Sequence, residues 1–301
     1  MLSRRQRFYL FKLLSLFSVV RGYNILVITL AQYLASIYIL APNWPLHKVV
    51  FDINLFLIVT ASALVIAAGY IINNFYDAEK DLINKPTKSM LDRIVSQRFK
   101  LTTYFILNLM AVFAASYISF KAVLFYSAYV FAIWLYSHKL KRIPFLGNLV
   151  SAILAITPFF AVFVYYKNFE LVIFVHAIFL FLLILARELV KDLENMAGDM
   201  ALNYQTVPIL YGQKVSKILI SCLAVLTLIP ALLLITEFEI GYMYLYFGAC
   251  ILLLVLFILL LVKANNKRHY VWLHNILKFI IVAGVFSILL IDVDLVLNRI
   301  L

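Results

Sequence analysis

The sequence predicts an all-α, polytopic bundle of about nine membrane-spanning helices. Hydrophobic residues make up 65% of the 301 and charged residues only 13%, whereas roughly a quarter of a soluble domain is charged. The apolar residues run on for about twenty positions at a time without alternating, which suits helices crossing a ~30 Å hydrocarbon core and not strands. An open sheet would also leave backbone groups unpaired in lipid. No Gly-, Ser- or Pro-rich linker breaks the chain, so residues 1–301 read as a single membrane domain.

The opening MLSRRQRFYLFK has the charged flank of a signal peptide, but Arg21 interrupts the apolar stretch that follows and no small-residue cleavage site is present. It reads as an amphipathic lead-in to a first retained span over 19–41. Spans over 52–72, 101–120 and 121–137 follow, the last two divided only by Lys121, so that a re-entrant hairpin and a count of eight stand as the alternative. The remaining spans are placed at 146–166, 170–187, 216–236, 241–263 and 271–298. Arg21 and Lys278 fall inside or at the mouth of a span, and a cation there either faces a polar cavity or snorkels to the interface.

Twenty of the 26 Lys and Arg lie at the N-terminus or after the even-numbered spans, and Lys48, Lys121, Lys167 and Arg299 lie on the opposite side. The positive-inside rule then puts the N-terminus in the cytoplasm, and the expected location is a bacterial inner membrane or an equivalent cytoplasmic membrane. The net charge of +12 follows from this topology and from attraction to anionic headgroups of the lipid bilayer, so no nucleic-acid partner is expected. Cys222 and Cys250 lie in spans without Cys or His neighbours and read as packing residues. None of the five His has metal-ligand spacing.

Eight of the fourteen acidic residues form two clusters, each after an even-numbered span and separated by four spans. Paired halves commonly place a site at their interface. In the first cluster, if span two stays helical past Ile72, Asn73, Asp77 and Asp81 recur every four residues along one face. Three oxygen-bearing side chains at a helix end suit Mg²⁺, which is usually held by one or two carboxylates and a substrate phosphate. The bland reading is a solvated helix end with an Asp81–Lys85 pair. In the second cluster Asp192, Asn195 and Asp199 share a face with Glu188 one turn earlier, while Arg187 and Lys191 lie on a neighbouring strip suited to phosphate oxygens. Gly198 offers a place to end the helix. A transporter would tend to carry its acids near the middle of its spans instead. The D-G-x-x-A-R string of membrane phosphatidyltransferases does not occur.

The two strings N-N-F-Y-D-A-E-K-D-L-I-N-K-P and K-D-L-E-N-M-A-G-D resemble the N-D-x-x-D-x-x-x-D…N-R-P and D-x-x-D-x-x-x-D motifs of the UbiA family of intramembrane prenyltransferases. Arg21-Gly22-Tyr23-Asn24 is similar to that family's R-P-x-N. Tyr136 to Pro144 with Gly147-Asn148 is similar to its Y-S-x-x-L-K-R-x-P…G-N. The string R-E-L-V-K-D-L-E-N-M-A-G-D most resembles the digeranylgeranylglyceryl phosphate synthase-like branch. Departures are Asn74 for the first Asp, Asn195 for the middle acid of the second motif, and Lys88-Ser89 where many members have Arg-Pro. An Asn carbonyl ligates a hard cation but adds no charge.

The resemblance implies Mg²⁺-dependent transfer of a polyprenyl group from its diphosphate to a lipophilic acceptor. A prenylglyceryl phosphate is the leading acceptor and an aromatic quinone precursor the alternative; a membrane transporter or an inactive scaffold of the same fold is the reading from another class. It further implies Asn73, Asp77, Asp81, Asp192, Asn195 and Asp199 as metal ligands, with Asp77, Asp81, Asp192 and Asp199 catalytic. Arg21, Asn24, Lys141 and Lys191 would bind the diphosphate. Phe75, Tyr76 and Tyr136, beside the motifs, would face the prenyl cation.

Overall fold

The structure is a computed structural model that describes residues 4–293. Its helices are α1 (Arg4–Val19), α2 (Gly22–Ala35), α3 (Leu46–Val50), α4 (Ile53–Tyr76), α5 (Ala78–Asn84), α6 (Pro86–Asp92), α7 (Gln97–Ser116), α8 (Phe120–His138), α9 (Leu146–Tyr166), α10 (Leu171–Ala201), α11 (Val207–Thr236), α12 (Tyr244–Lys263) and α13 (Lys267–Ser287). A π-helical turn, Ser36–Leu40, extends α2. Among the described residues nine helices are long and apolar enough to cross a membrane. Arg299 and the end of the span expected to reach 298 lie outside the described residues.

Local sequence explains the boundaries. The doubtful stretch 101–137 is two full helices, because the Ser119 hydroxyl accepts the Ala122 N–H at 3.1 Å and starts α8 afresh. Asp52 caps α4 through Asn54 N at 2.9 Å, Ser96 caps α7, and Asn266 caps α13 through His269 N at 3.0 Å. Pro158 has no N–H for the Leu154 carbonyl, and the Tyr129 hydroxyl on α8 donates to that carbonyl at 2.9 Å instead.

Two expectations change. The second span does not continue as one straight helix, since Asp77 (φ −93°, ψ 5°) closes α4 and opens α5. The i→i+4 bonds nonetheless run on through Asp77 N to Asn73 O at 2.9 Å and Asp81 N to Asp77 O at 2.8 Å, so the motif stays in step around a bend. Gly198 does not end its helix either: α10 is 31 residues long, about 46 Å at 1.5 Å per residue, and carries the whole second motif on rigid helix. The helical stretch of α11 contains a break at Gly212 (φ 79°, ψ 168°), a backbone conformation that favours glycine.

Packing follows membrane rules. Ala61, Ala111 and Ala115 are fully buried where α4 and α7 meet, and such small residues let backbones approach closely. Leu183, Ile220, Phe247, Leu254, Phe257 and Leu277 fill the core shared by α10 to α13. Leu109, Phe113, Leu252 and Leu259 point outward, towards lipid.

Candidate active site

The bend at Asp77 lays α5 across the C-terminal half of α10. The Asn84 side chain fastens the crossing by accepting the Gly198 N–H at 3.1 Å and donating to the Asn195 carbonyl at 3.2 Å. A Cβ at Gly198 would overlap the Asn84 amide, so glycine serves this close approach rather than a helix end. Lys85 Nζ reaches Glu194 at 3.3 Å, and Lys267 Nζ donates to the Asn84 carbonyl at 2.5 Å. The segment after α8 joins the same end of the bundle, with Gln205 N bonded to the Arg142 carbonyl at 3.2 Å. Gly147 permits this packing, since a Cβ there would stand 3.0 Å from the Leu140 carbonyl and 3.1 Å from Lys141 Cα.

The two acidic clusters meet across this crossing through lysines. Lys141 Nζ lies 2.6 Å from Asp77 Oδ1 and 3.5 Å from Asn73 Oδ1. The Tyr204 hydroxyl also faces Asp77 Oδ1, at 3.5 Å. Lys80 Nζ lies 2.5 Å from Asp199 Oδ1, and the Thr206 hydroxyl donates to Asp199 Oδ2 at 3.3 Å. Asn148 Nδ2 donates to Asp192 Oδ2 at 2.8 Å. Lys80, Asn84, Asn148, Tyr204 and Thr206 are given no role by the sequence reading, although Lys80, Asn84 and Asn148 stand inside the matched strings.

Electrostatics at this end follow from burial set against neighbours. Burial alone would raise the Asp77 carboxyl, but Lys141 and Lys80 outweigh it and hold the group below its usual range. Burial would lower Lys80, yet Asp77, Asp199 and Asp192 surround it and push it up. Asp81 is raised, first by burial and then by the nearby Asp77. Lys141 is lowered because burial outweighs its single close carboxylate.

Among the described residues no three His, Cys, Asp or Glu side chains come together as a metal cluster; the lysines stand among the carboxylates. The donor set is nevertheless all oxygen, as a hard cation requires. Among the described residues the Asp81 carboxylate has no hydrogen bond or ion pair, and the Asp77 and Asp192 carboxylates each have one oxygen bonded and one open.

Beside this cluster opens a cavity of about 470 Å³. Its polar end is lined by Arg21, Asn24, Asn73, Arg187, Glu188, Lys191 and Lys278, and its deeper wall by apolar and aromatic groups including Tyr136, Phe159 and Phe179. Arg21 has a left-handed backbone (φ 50°) between α1 and α2, and its guanidinium stands 5.0 Å over the Tyr70 ring. Asn24 donates to the Tyr70 hydroxyl at 3.1 Å. Lys191 pairs with Glu188 at 2.7 Å.

Phe75 and Tyr76 do not line this cavity. They pack edge to face at 5.5 Å against the group around Val19, Ile71 and Tyr104, because consecutive residues of a helix point in different directions. Asn74 also turns away. It accepts from Lys100 Nζ at 2.8 Å and donates to Asp92 at 3.0 Å, so the first departure from the motif belongs to a structural bridge among α4, α6 and α7. Asn195 is buried against α5.

A 31% identical protein, digeranylgeranylglyceryl phosphate synthase of Methanobrevibacter smithii, aligns over 90% of this chain and 97% of its own length. The synthase of the same name from Pyrococcus horikoshii is 30% identical over 71% of this chain and 75% of its own. A solved structure concerned with digeranylgeranylglyceryl phosphate synthase in membranes superposes with a TM-score of 0.69, at 24% identity over 92% of this chain and 97% of that one. A UbiA homologue from Archaeoglobus fulgidus, bound to GPP and Mg²⁺, superposes with a TM-score of 0.66 at 14% identity, over 91% of this chain and 99% of that one. The model of the UbiA prenyltransferase family matches residues 25–282. The chain is an integral membrane prenyltransferase and belongs to the UbiA prenyltransferase family.

Proposed function

We propose that this protein transfers a polyprenyl group from its diphosphate to the hydroxyl of a prenylglyceryl phosphate, at a site facing the cytoplasm. The observation that carries this reading is the crossing of α5 and α10, which brings the two carboxylate clusters together through Lys80 and Lys141, beside an otherwise apolar cavity whose polar end carries Arg21, Arg187, Lys191 and Lys278. The relatives named for synthesis of a prenylated glyceryl phosphate support the acceptor class. The crowding of Lys and Arg at the N-terminus and after the even-numbered spans supports the orientation.

Asn73, Asp77 and Asp81 on one side and Asp192, Asn195 and Asp199 on the other would hold Mg²⁺, which when bound neutralises diphosphate charge and makes it a better leaving group. Arg21, Asn24, Lys141 and Lys191 donate to the remaining phosphate oxygens. The bond from prenyl C1 to the diphosphate oxygen breaks, the acceptor hydroxyl oxygen bonds to C1, and its proton is released with the diphosphate. Tyr136 lines the cavity, where an aromatic face stabilises an allylic cation. The apolar wall keeps water from that cation, and the tail, itself as apolar as lipid, lies along the same wall.

The test is turnover of labelled polyprenyl diphosphates by the purified protein with prenylglyceryl phosphate or an aromatic acid as acceptor, with Mg²⁺ or with EDTA. Product should form with the phosphorylated glycerol lipid and stop in EDTA. Product with the aromatic acceptor alone would overturn the acceptor, and none with any acceptor would overturn the activity.

A further inference from the structure

The four cations at the polar end of the cavity are not equivalent. Arg187 and Lys191 share the one acidic residue of the lining, Glu188, at 3.4 and 2.7 Å. Arg21 sits on Tyr70 beside Asn24, next to the first motif. Lys278 comes from α13, which carries no motif residue, and among the described residues it pairs with no carboxylate. Its ammonium lies 3.3 Å from the Tyr23 hydroxyl and 4.4 Å from the centre of that ring. Lys278 lies eleven residues into α13, about 16 Å from the helix start, and it faces the cavity.

A lysine in an apolar span is costly unless an anion or water meets it. In the function proposed above the diphosphate is already met by the two carboxylate clusters, which would hold Mg²⁺, together with Arg21, Asn24, Lys141 and Lys191. We infer that Lys278 and Tyr23 form a second anion subsite, beside Arg21 and Asn24 at the polar end of the cavity, which binds the phosphomonoester of the acceptor. This rests on the acceptor reading given above. The two anions are then held by separate cations, the acceptor phosphate by Lys278 of α13, and a glycerol hydroxyl only a few bonds from the anchored phosphate is directed at the prenyl carbon beside it. Holding both reactants in register is a large part of what a transferase supplies. The subsite also gives a reason for preferring a phosphorylated acceptor, since an unphosphorylated one leaves the ammonium without its counter-ion.

The experiment is initial-rate kinetics of the full chain in nanodiscs of neutral lipid and, separately, of anionic lipid. Each substrate is varied in turn, using wild type, Lys278→Met, Lys278→Arg and Tyr23→Phe. Lys278→Met should raise the KM for prenylglyceryl phosphate by about 10- to 100-fold while the KM for the diphosphate moves by less than about twofold. Lys278→Arg should recover most of the loss, and Lys278→Met should bind the unphosphorylated prenylglycerol as wild type does. If Lys278→Met fails to fold, Tyr23→Phe, which keeps the charge, should still raise the acceptor KM alone. A rise confined to the diphosphate KM, an unchanged acceptor KM, or an effect seen only in anionic lipid, where Lys278 would be meeting bilayer headgroups, would each overturn the subsite. Wild type that prenylates only another acceptor would instead sink the acceptor reading.

Discussion

Lys80 Nζ stands 2.5 Å from Asp199 Oδ1, joining the short helix after the second span to the last acid of the second motif. Asp199 is completely buried and Lys80 nearly so, and removing one member of such a pair leaves the other charge without compensation. Lys80→Met should therefore cost about 3–5 kcal/mol in a magnesium-free thermal or denaturant unfolding measurement. Because Mg²⁺ would compete for the same carboxylate, it should raise the Tm of Lys80→Met by more than that of wild type. Equal shifts in the two proteins would remove Asp199 from the metal ligands.

Asp77 and Asp192 sit on opposite sides of the α5–α10 crossing, and each keeps an oxygen open. Asp77→Ala and Asp192→Ala should each lower turnover by about 10²–10³-fold or more, with unchanged elution on size exclusion showing that the fold is kept. Two active variants would contradict the assigned ligand set.

The Asp77–Lys141 pair predicts a pH dependence. Asp77 is held below the usual carboxylate value of about 3.9, so its contribution to stability is full above that value and is lost as pH falls through its lower, folded-state pKa. In Lys141→Met the main opposing charge is gone and burial pushes Asp77 up, so the variant should be less stable than wild type at pH 7. As the pH is lowered the variant's Asp77 takes its proton first, and the gap in Tm should narrow. Melting curves in EDTA from pH 7 to 4 test this, and a gap that widens on acidification contradicts it.

Asn74 departs from the family motif, yet it holds Lys100 and Asp92. Asn74→Leu should reduce stability by about 1–3 kcal/mol, since it leaves the Lys100 ammonium and the Asp92 carboxylate unsatisfied. Turnover per folded molecule should be near wild type. A variant of normal stability and no activity would show that Asn74 belongs to the chemistry after all.

Gly198 meets the Asn84 amide directly. Gly198→Ala should overpack the crossing and cost about 1–3 kcal/mol, with a fall in kcat as α5 is pushed off α10. Asn84→Ser in the same chain should restore part of both losses by making room, which stability and rate measurements on the double variant would reveal.

Much of this was legible in the sequence. Nine spans followed from nine apolar runs, because a helix satisfies its backbone within itself and needs only length and hydrophobicity to cross lipid. The acidic clusters and Arg21 stood out because charge is scarce in such a chain. Phe75 is instructive in the other direction: adjacency to Asp77 suggested a shared site, but helix geometry points it into the packing around Tyr104, while Tyr76 keeps its ring centre 5.9 Å from Lys141 Nζ without lining the cavity. Neighbours along a helix are not neighbours in space.

By itself the sequence determined the solvent, a count of about nine spans with eight as the alternative, and the motif strings, since these depend on composition and on order along the chain; the Ser119 cap then decided for nine. Tertiary structure decided the partners. Lys80 reaches Asp199 over 119 residues, Asn84 reaches Gly198 over 114, and Lys278 faces Tyr23 over 255. Such pairings depend on how α5, α10, α13 and α2 pack against one another, and packing is set by the complementary surfaces of whole helices rather than by any local pattern within one of them.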